Sequence, residues 1–175
     1  MTPVGPLVLA TRVSFLLVVG LTIQVGIGPE VHVLGVQGDL MLLIAIGGGL
    51  AAGPDRGAAV GFASGLGYDL LLQTPFGLSA LTYALVAFLV GSLQDSVLRA
   101  AWWIPVATAA AGSAVGVILY GVLGTVVGMD FVGVSLPKVA LVVGTLNAIA
   151  AAPTIRAVRW ATGTQDSVRA RSVYR

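Results

Sequence analysis

The chain has 175 residues, of which 57% are hydrophobic and 9% charged, with a formal net charge of +2 and no cysteine. A soluble domain carries about 25% charged residues, so this composition excludes an ordinary water-soluble fold and points to an all-α polytopic membrane protein. Lack of cysteine excludes disulfides, thiolate metal sites and cysteine nucleophiles, and basic residues gathered near segment ends speak for topology and against nucleic-acid binding.

The first apolar segment covers residues 7–27, with Arg12 near its start, where a long side chain snorkels to the interface. No charge precedes Arg12 and no small-residue cleavage site follows, so the segment reads as a retained span. The loop GPEVHVLGVQG comes next, punctuated by Gly28, Pro29 and Gly35. It holds Glu30 and His32, too few donors for a metal site. A second span covers 36–52, with Asp39 close to its beginning and Gly47, Gly48 and Gly49 consecutive near its end. In lipid such glycines favour tight packing. Gly53-Pro54-Asp55-Arg56 reads as the turn that ends it.

Residues 57–73 and 76–93 read as a third and fourth span joined by a short turn at Thr74-Pro75. Gly57, Gly61 and Gly65 recur every fourth residue, which puts them on one helix face and lets another backbone come close. This face reads as a packing seam, inside the bundle or toward a partner span. Asp69 lies among leucines, about 18 Å into its span at 1.5 Å per residue. An ionisable side chain in an apolar span is costly and needs a partner, a wet cavity or a function. Asp39 and Asp69 therefore form a candidate outer-face cavity, the alternative being that each caps a helix end or meets headgroups.

A polar loop with Gln94, Asp95, Ser96 and Arg99 precedes the fifth span, 101–127. That span opens on Trp102 and Trp103, residues suited to the interface, with Pro105 in its first turns. Gly112 and Gly116, then Gly124 and Gly128, repeat the small-residue spacing. After a loop with Asp130, the sixth span covers 137–155 and carries Asn147, read as interhelical hydrogen bonding, and Pro153. Trp160 reads as an interfacial anchor. Arg156 and Arg159 are candidate lipid or cytoplasmic anchors, and 161–175 reads as a basic cytoplasmic tail, poorly ordered or interfacial.

Charge sets the orientation. With six spans and the N-terminus inside, Arg12, Arg56, Arg99 and the arginines from Arg156 onward are cytoplasmic, and of the nine basic residues Lys138 alone falls outside. The chain has no Walker-type loop, G-x-S-x-G elbow or zinc-protease helix, so no enzyme activity and no cofactor is expected.

Gly38-Asp39-Leu40-Met41-Leu42-Leu43 is followed by Gly61-Phe62, Gly65-Leu66, Asp69, Phe76-Gly77-Leu78, Ala80-Leu81, Tyr83 and Gly91. This pattern resembles the MreD family, with its G-x-x-x-G-F-x-x-G-L-x-x-D core and following G-L-x-A-L-x-Y helix. It departs at Gly38, where many members have proline; outside this stretch the match is in hydropathy. The resemblance implies a non-catalytic scaffold of the bacterial cell-elongation complex in the cytoplasmic membrane. Its implied partners are an MreC-like single-span protein and, indirectly, an MreB-like filament, a RodA-type glycosyltransferase and a penicillin-binding transpeptidase. On that reading Gly57, Gly61, Gly65, Phe62, Phe76, Gly77 and Tyr83 make a candidate packing or partner face. The implied fold is similar to the substrate-binding subunit of energy-coupling-factor transporters. That likeness supplies the alternative of a vitamin-capture subunit with its ligand at Asp39 and Asp69. The first span, SFLLVVGLTIQVGIG, has no Ala-rich docking motif of the kind those subunits carry, which favours the scaffold.

Overall fold

Thirteen residues, Leu40–Ala52, form a helix of aliphatic side chains and glycine, and every residue from Met41 to Ala51 is buried. A helix that is apolar all round has no face to give to water and must be surrounded. The computed structural model, which describes residues 5–26, 30–71, 75–98, 103–129 and 135–163, places it at the centre. The elements in order are α1 (Pro6–Gly26), β1 (His32–Val33), β2 (Val36–Gln37), α2 (Leu40–Ala52), α3 (Pro54–Asp69), α4 (Leu78–Ser92), α5 (Gln94–Leu98), α6 (Ile104–Val126) and α7 (Leu136–Ala161). Helix α2 touches all six of the others.

The three consecutive glycines of α2 make that position possible. Successive helical residues point about 100° apart, so each glycine faces a different neighbour. Gly47 lies against Val158 of α7, Gly48 against Val60 and Gly57 of α3, and Gly49 against Ala87 and Gly91 of α4. The seam of α3 completes the contact. Gly57 meets the backbone of Gly48 and Gly49, Gly61 meets Tyr83 and Ala87, and Gly65 meets Ser79 and Ala80. The row is thus an internal seam between α3 and its neighbours α2 and α4.

Helices α1, α6 and α7, of 21, 23 and 26 residues, are long and apolar enough to cross a membrane. Helices α2 and α4 are apolar but shorter; thirteen residues of α2 extend about 20 Å, short of a ~30 Å hydrocarbon core. Large aliphatic side chains stay exposed on the outer faces of the long helices, among them Val18, Val122 and Ile149. Such a surface suits acyl chains.

Several helix ends differ from those the sequence suggests, for local reasons. Helix α2 starts at Leu40, because Val36 and Gln37 pair antiparallel with His32 and Val33. The turn between those strands puts Leu34 and Gly35 at φ of 55° and 78°, the double left-handed geometry of a two-residue hairpin. Helix α3 starts at Pro54, directly after α2, since Gly53 at φ 85° caps both and Pro54 suits the first helical position. It ends at Asp69. Helix α5 occupies what reads as a polar loop, and α7 runs through Pro153 to Ala161. Thr74, Arg99, Trp102, Asp130 and the tail beyond Gly163 lie outside the described residues.

Candidate functional site

A helix that begins inside a protein brings its first free N–H groups with it, and each needs a partner. Those of α2 are met by side chains from distant helices. Asp39 is the N-cap, and its Oδ1 accepts from the N–H of Leu42 at 2.9 Å. Gln24 of α1 accepts from the N–H of Leu40 at 2.7 Å and donates to the carbonyl of Gly38 at 3.0 Å. Asn147 of α7 accepts from the N–H of Asp39 at 3.1 Å and donates to its carbonyl at 2.9 Å. The same amide nitrogen donates to Ser113 Oγ of α6 at 2.8 Å. Tyr83 of α4 donates its hydroxyl to Asp39 Oδ2 at 2.5 Å. Side chains from α1, α4 and α7 therefore converge on Gly38-Asp39-Leu40, with Ser113 of α6 holding Asn147 from behind. Hydrogen bonds between membrane helices average about 0.6 kcal/mol each, so the clamp acts through its number of bonds.

Beside this clamp lies a cavity of about 400 Å³. The hairpin end, Gly35 to Gly38, forms one wall. Leu42, Val117, Leu136, Val139 and Val143 are among its apolar lining residues, and Gln37, Asp39, Tyr68, Tyr83 and Tyr120 are its residues with polar side-chain groups. Tyr68 and Tyr83 stack with centroids 6.3 Å apart and planes 23° from parallel. A cavity of this size is in the range of small-molecule sites, about 300–1,000 Å³.

Asp69 is placed differently. Its Oδ2 accepts from the N–H of Gly77 at 2.9 Å and of Ala80 at 3.2 Å, and its Oδ1 from Ser79 at 3.2 Å. It is the last residue of α3 and caps the start of α4, and it is buried. Asp39 lines the cavity and Asp69 is not among the lining residues. The structure thus brings Asp39 together with Tyr83, and Asp69 together with Gly77, as caps of the two short apolar helices. Gly77 takes φ 95° at the head of α4, a left-handed conformation that presents its N–H to Asp69.

The remaining residues of the suggested partner face separate by burial. Gly57, Gly61, Gly65 and Tyr83 point inward, whereas Phe62 and Phe76 are 50% and 67% exposed. Arg156 is exposed and Arg159 half-buried near the end of α7, and Trp103 is exposed before α6. Arg12 lies 5.2 Å over the ring of Trp160, a cation–π contact between α1 and α7. Glu30 and His32 are exposed. Asn147 is legible in sequence as a hydrogen-bonding residue, whereas Gln24, Ser113, Tyr68 and Tyr120 emerge from the structure. An uncharged amide inside an apolar span, Gln24, carries the same signal as Asn147; the serine and tyrosines carry none without the fold.

A comparison with protein-family models matches residues 7–156 to the family described as rod shape-determining protein MreD. The chain belongs to the MreD family. The match reaches from the start of α1 into the last turns of α7, and so includes Gln24, Asp39, Asp69, Tyr83 and Asn147. Membership places this MreD-family chain among the membrane proteins of rod-shape determination. Neither a comparison with curated proteins nor one with solved structures gives a significant match.

Proposed function

We propose that this chain is a non-catalytic scaffold of the bacterial cell-elongation complex, crossing the cytoplasmic membrane six times with both ends inside. The observation that carries this reading is the MreD-family match over residues 7–156. Two features of the fold support it. The Arg12–Trp160 contact brings the beginning of α1 and the end of α7 to one face, as an even number of crossings requires. Arg56, Arg156 and Arg159 then sit on the inner side, where Arg156 and Arg159 contact anionic headgroups.

The glycine seam is used within the bundle, so partner helices dock on the outward aromatic positions, Phe62 and Phe76. The partner is an MreC-like single-span protein. Through it the chain helps couple an MreB-like filament to a RodA-type glycosyltransferase and a penicillin-binding transpeptidase. Affinity purification from native membranes in mild detergent tests this. A co-purifying single-span periplasmic protein, reduced by Phe62→Ala with Phe76→Ala at unchanged abundance, is the expected result. Undiminished recovery with the double variant would reject that face. Recovery of paired ATPases with a coupling membrane subunit would overturn the scaffold reading.

A further inference from the structure

The cavity between the hairpin and Asp39 is not explained by scaffolding. A carboxylate has about four acceptor positions, and Asp39 fills part of them with the hydroxyl of Tyr83 and the N–H of Leu42. All of these partners are neutral. A cap alone asks only for one short acceptor, which serine, threonine or asparagine would supply. In an apolar chamber the ionised form of such a carboxyl is costly unless an opposite charge meets it, and an entering cation is what would favour that form. Three aromatic residues, Tyr68, Tyr83 and Tyr120, line the chamber, and aromatic rings attract cations through their quadrupoles. Apart from Gln37 and three glycines, the remaining lining is aliphatic, which suits a body that is not itself charged. One carboxylate is too few for a metal ion, and the same carboxylate repels anions.

We propose that this cavity binds an organic ammonium group carried on a compact apolar body, with Asp39 as counter-ion and the tyrosines as walls. The volume, about 400 Å³, equals that of roughly thirteen liquid waters and admits a single-ring amine. A soluble amine offers both parts of this chemistry; an ethanolamine headgroup offers the ammonium alone, with its phosphate left outside the chamber.

The test uses the purified full chain and benzylammonium as probe, with benzyl alcohol as the neutral analogue. Thermal unfolding and isothermal titration should show saturable binding of benzylammonium, roughly tenfold tighter than of benzyl alcohol. Asp39→Asn retains the Oδ1 acceptor for Leu42 and a polar partner for Tyr83, and should remove the preference for the cation. Val139→Phe fills the chamber from its aliphatic wall, leaves the Asp39 clamp in place, and should remove binding altogether; it serves if Asp39→Asn fails to fold. Equal response to both compounds, no saturable binding, or binding that survives Val139→Phe would each overturn the proposal. Repeating the titration in nanodiscs with and without phosphatidylethanolamine identifies the source. Competition by that lipid assigns the site to a headgroup, and its absence to a soluble amine.

Discussion

Gly61→Ala is the smallest change that tests the glycine seam. A methyl group on Gly61 would lie 2.5 Å from the carbonyl oxygen of Tyr83, 2.8 Å from its carbonyl carbon and 3.0 Å from Ala87 Cβ. Ordinary contact begins at 3.4 Å, so α3 and α4 must part locally by about 0.9 Å. The nearest obstacles are helix backbone, which cannot rotate away as a side-chain tip can. Overpacking of this kind costs ~1–3 kcal/mol, equivalent to a fall of roughly 2–12 °C in Tm for a chain of this size. Gly67→Ala is the matched control on the same helix, since a methyl there meets only Leu21 Cδ2 at 4.0 Å. It should leave Tm unchanged or raise it, because alanine is the better helix former by up to about 1 kcal/mol. The assay is thermal unfolding of both variants in one mild detergent, read by size-exclusion chromatography. Equal Tm values for the two would refute the close-packed seam. Gly61→Leu should do greater damage and prevent recovery of monodisperse protein.

Two further changes probe the caps. Asp69→Ala leaves the N–H groups of Gly77, Ser79 and Ala80 without their acceptor; a loss of about 2 kcal/mol and faster amide exchange at Ser79 and Ala80 are expected, with Asp69→Asn recovering part of both. Unchanged exchange would show that Asp69 does not hold the start of α4. Asn147→Leu strips partners from both the N–H and the carbonyl of Asp39, which costs ~2–4 kcal/mol, whereas Ser113→Ala removes one bond and costs ~1 kcal/mol. Because both act in one network, the double variant should be less destabilised than the two losses combined; simple additivity would place Ser113 outside the clamp.

Composition by itself determined the class of protein. With 9% charged residues the chain has no means of covering a soluble surface, and apolar runs bounded by glycine, proline and arginine mark out its helical segments. The four-residue spacing of Gly57, Gly61 and Gly65 also announced close packing, because helix geometry alone puts them in line. The family pattern was legible in the same stretch. Tertiary structure decided the rest. Asp39 and Asp69 look alike in sequence, two acids at apolar segments, yet one lines a chamber and the other closes onto the head of α4. The difference lies in which residues stand opposite, and these are up to 108 positions away, as for Asp39 and Asn147. Gly47, Gly48 and Gly49 read as glycines that favour tight packing, but that they serve three separate neighbours follows only once α7, α3 and α4 surround α2. Sequence spacing specifies which side chains share a face; what that face meets depends on the order in which helices pack, and that order is set by the need to satisfy every buried backbone group at the ends of short helices.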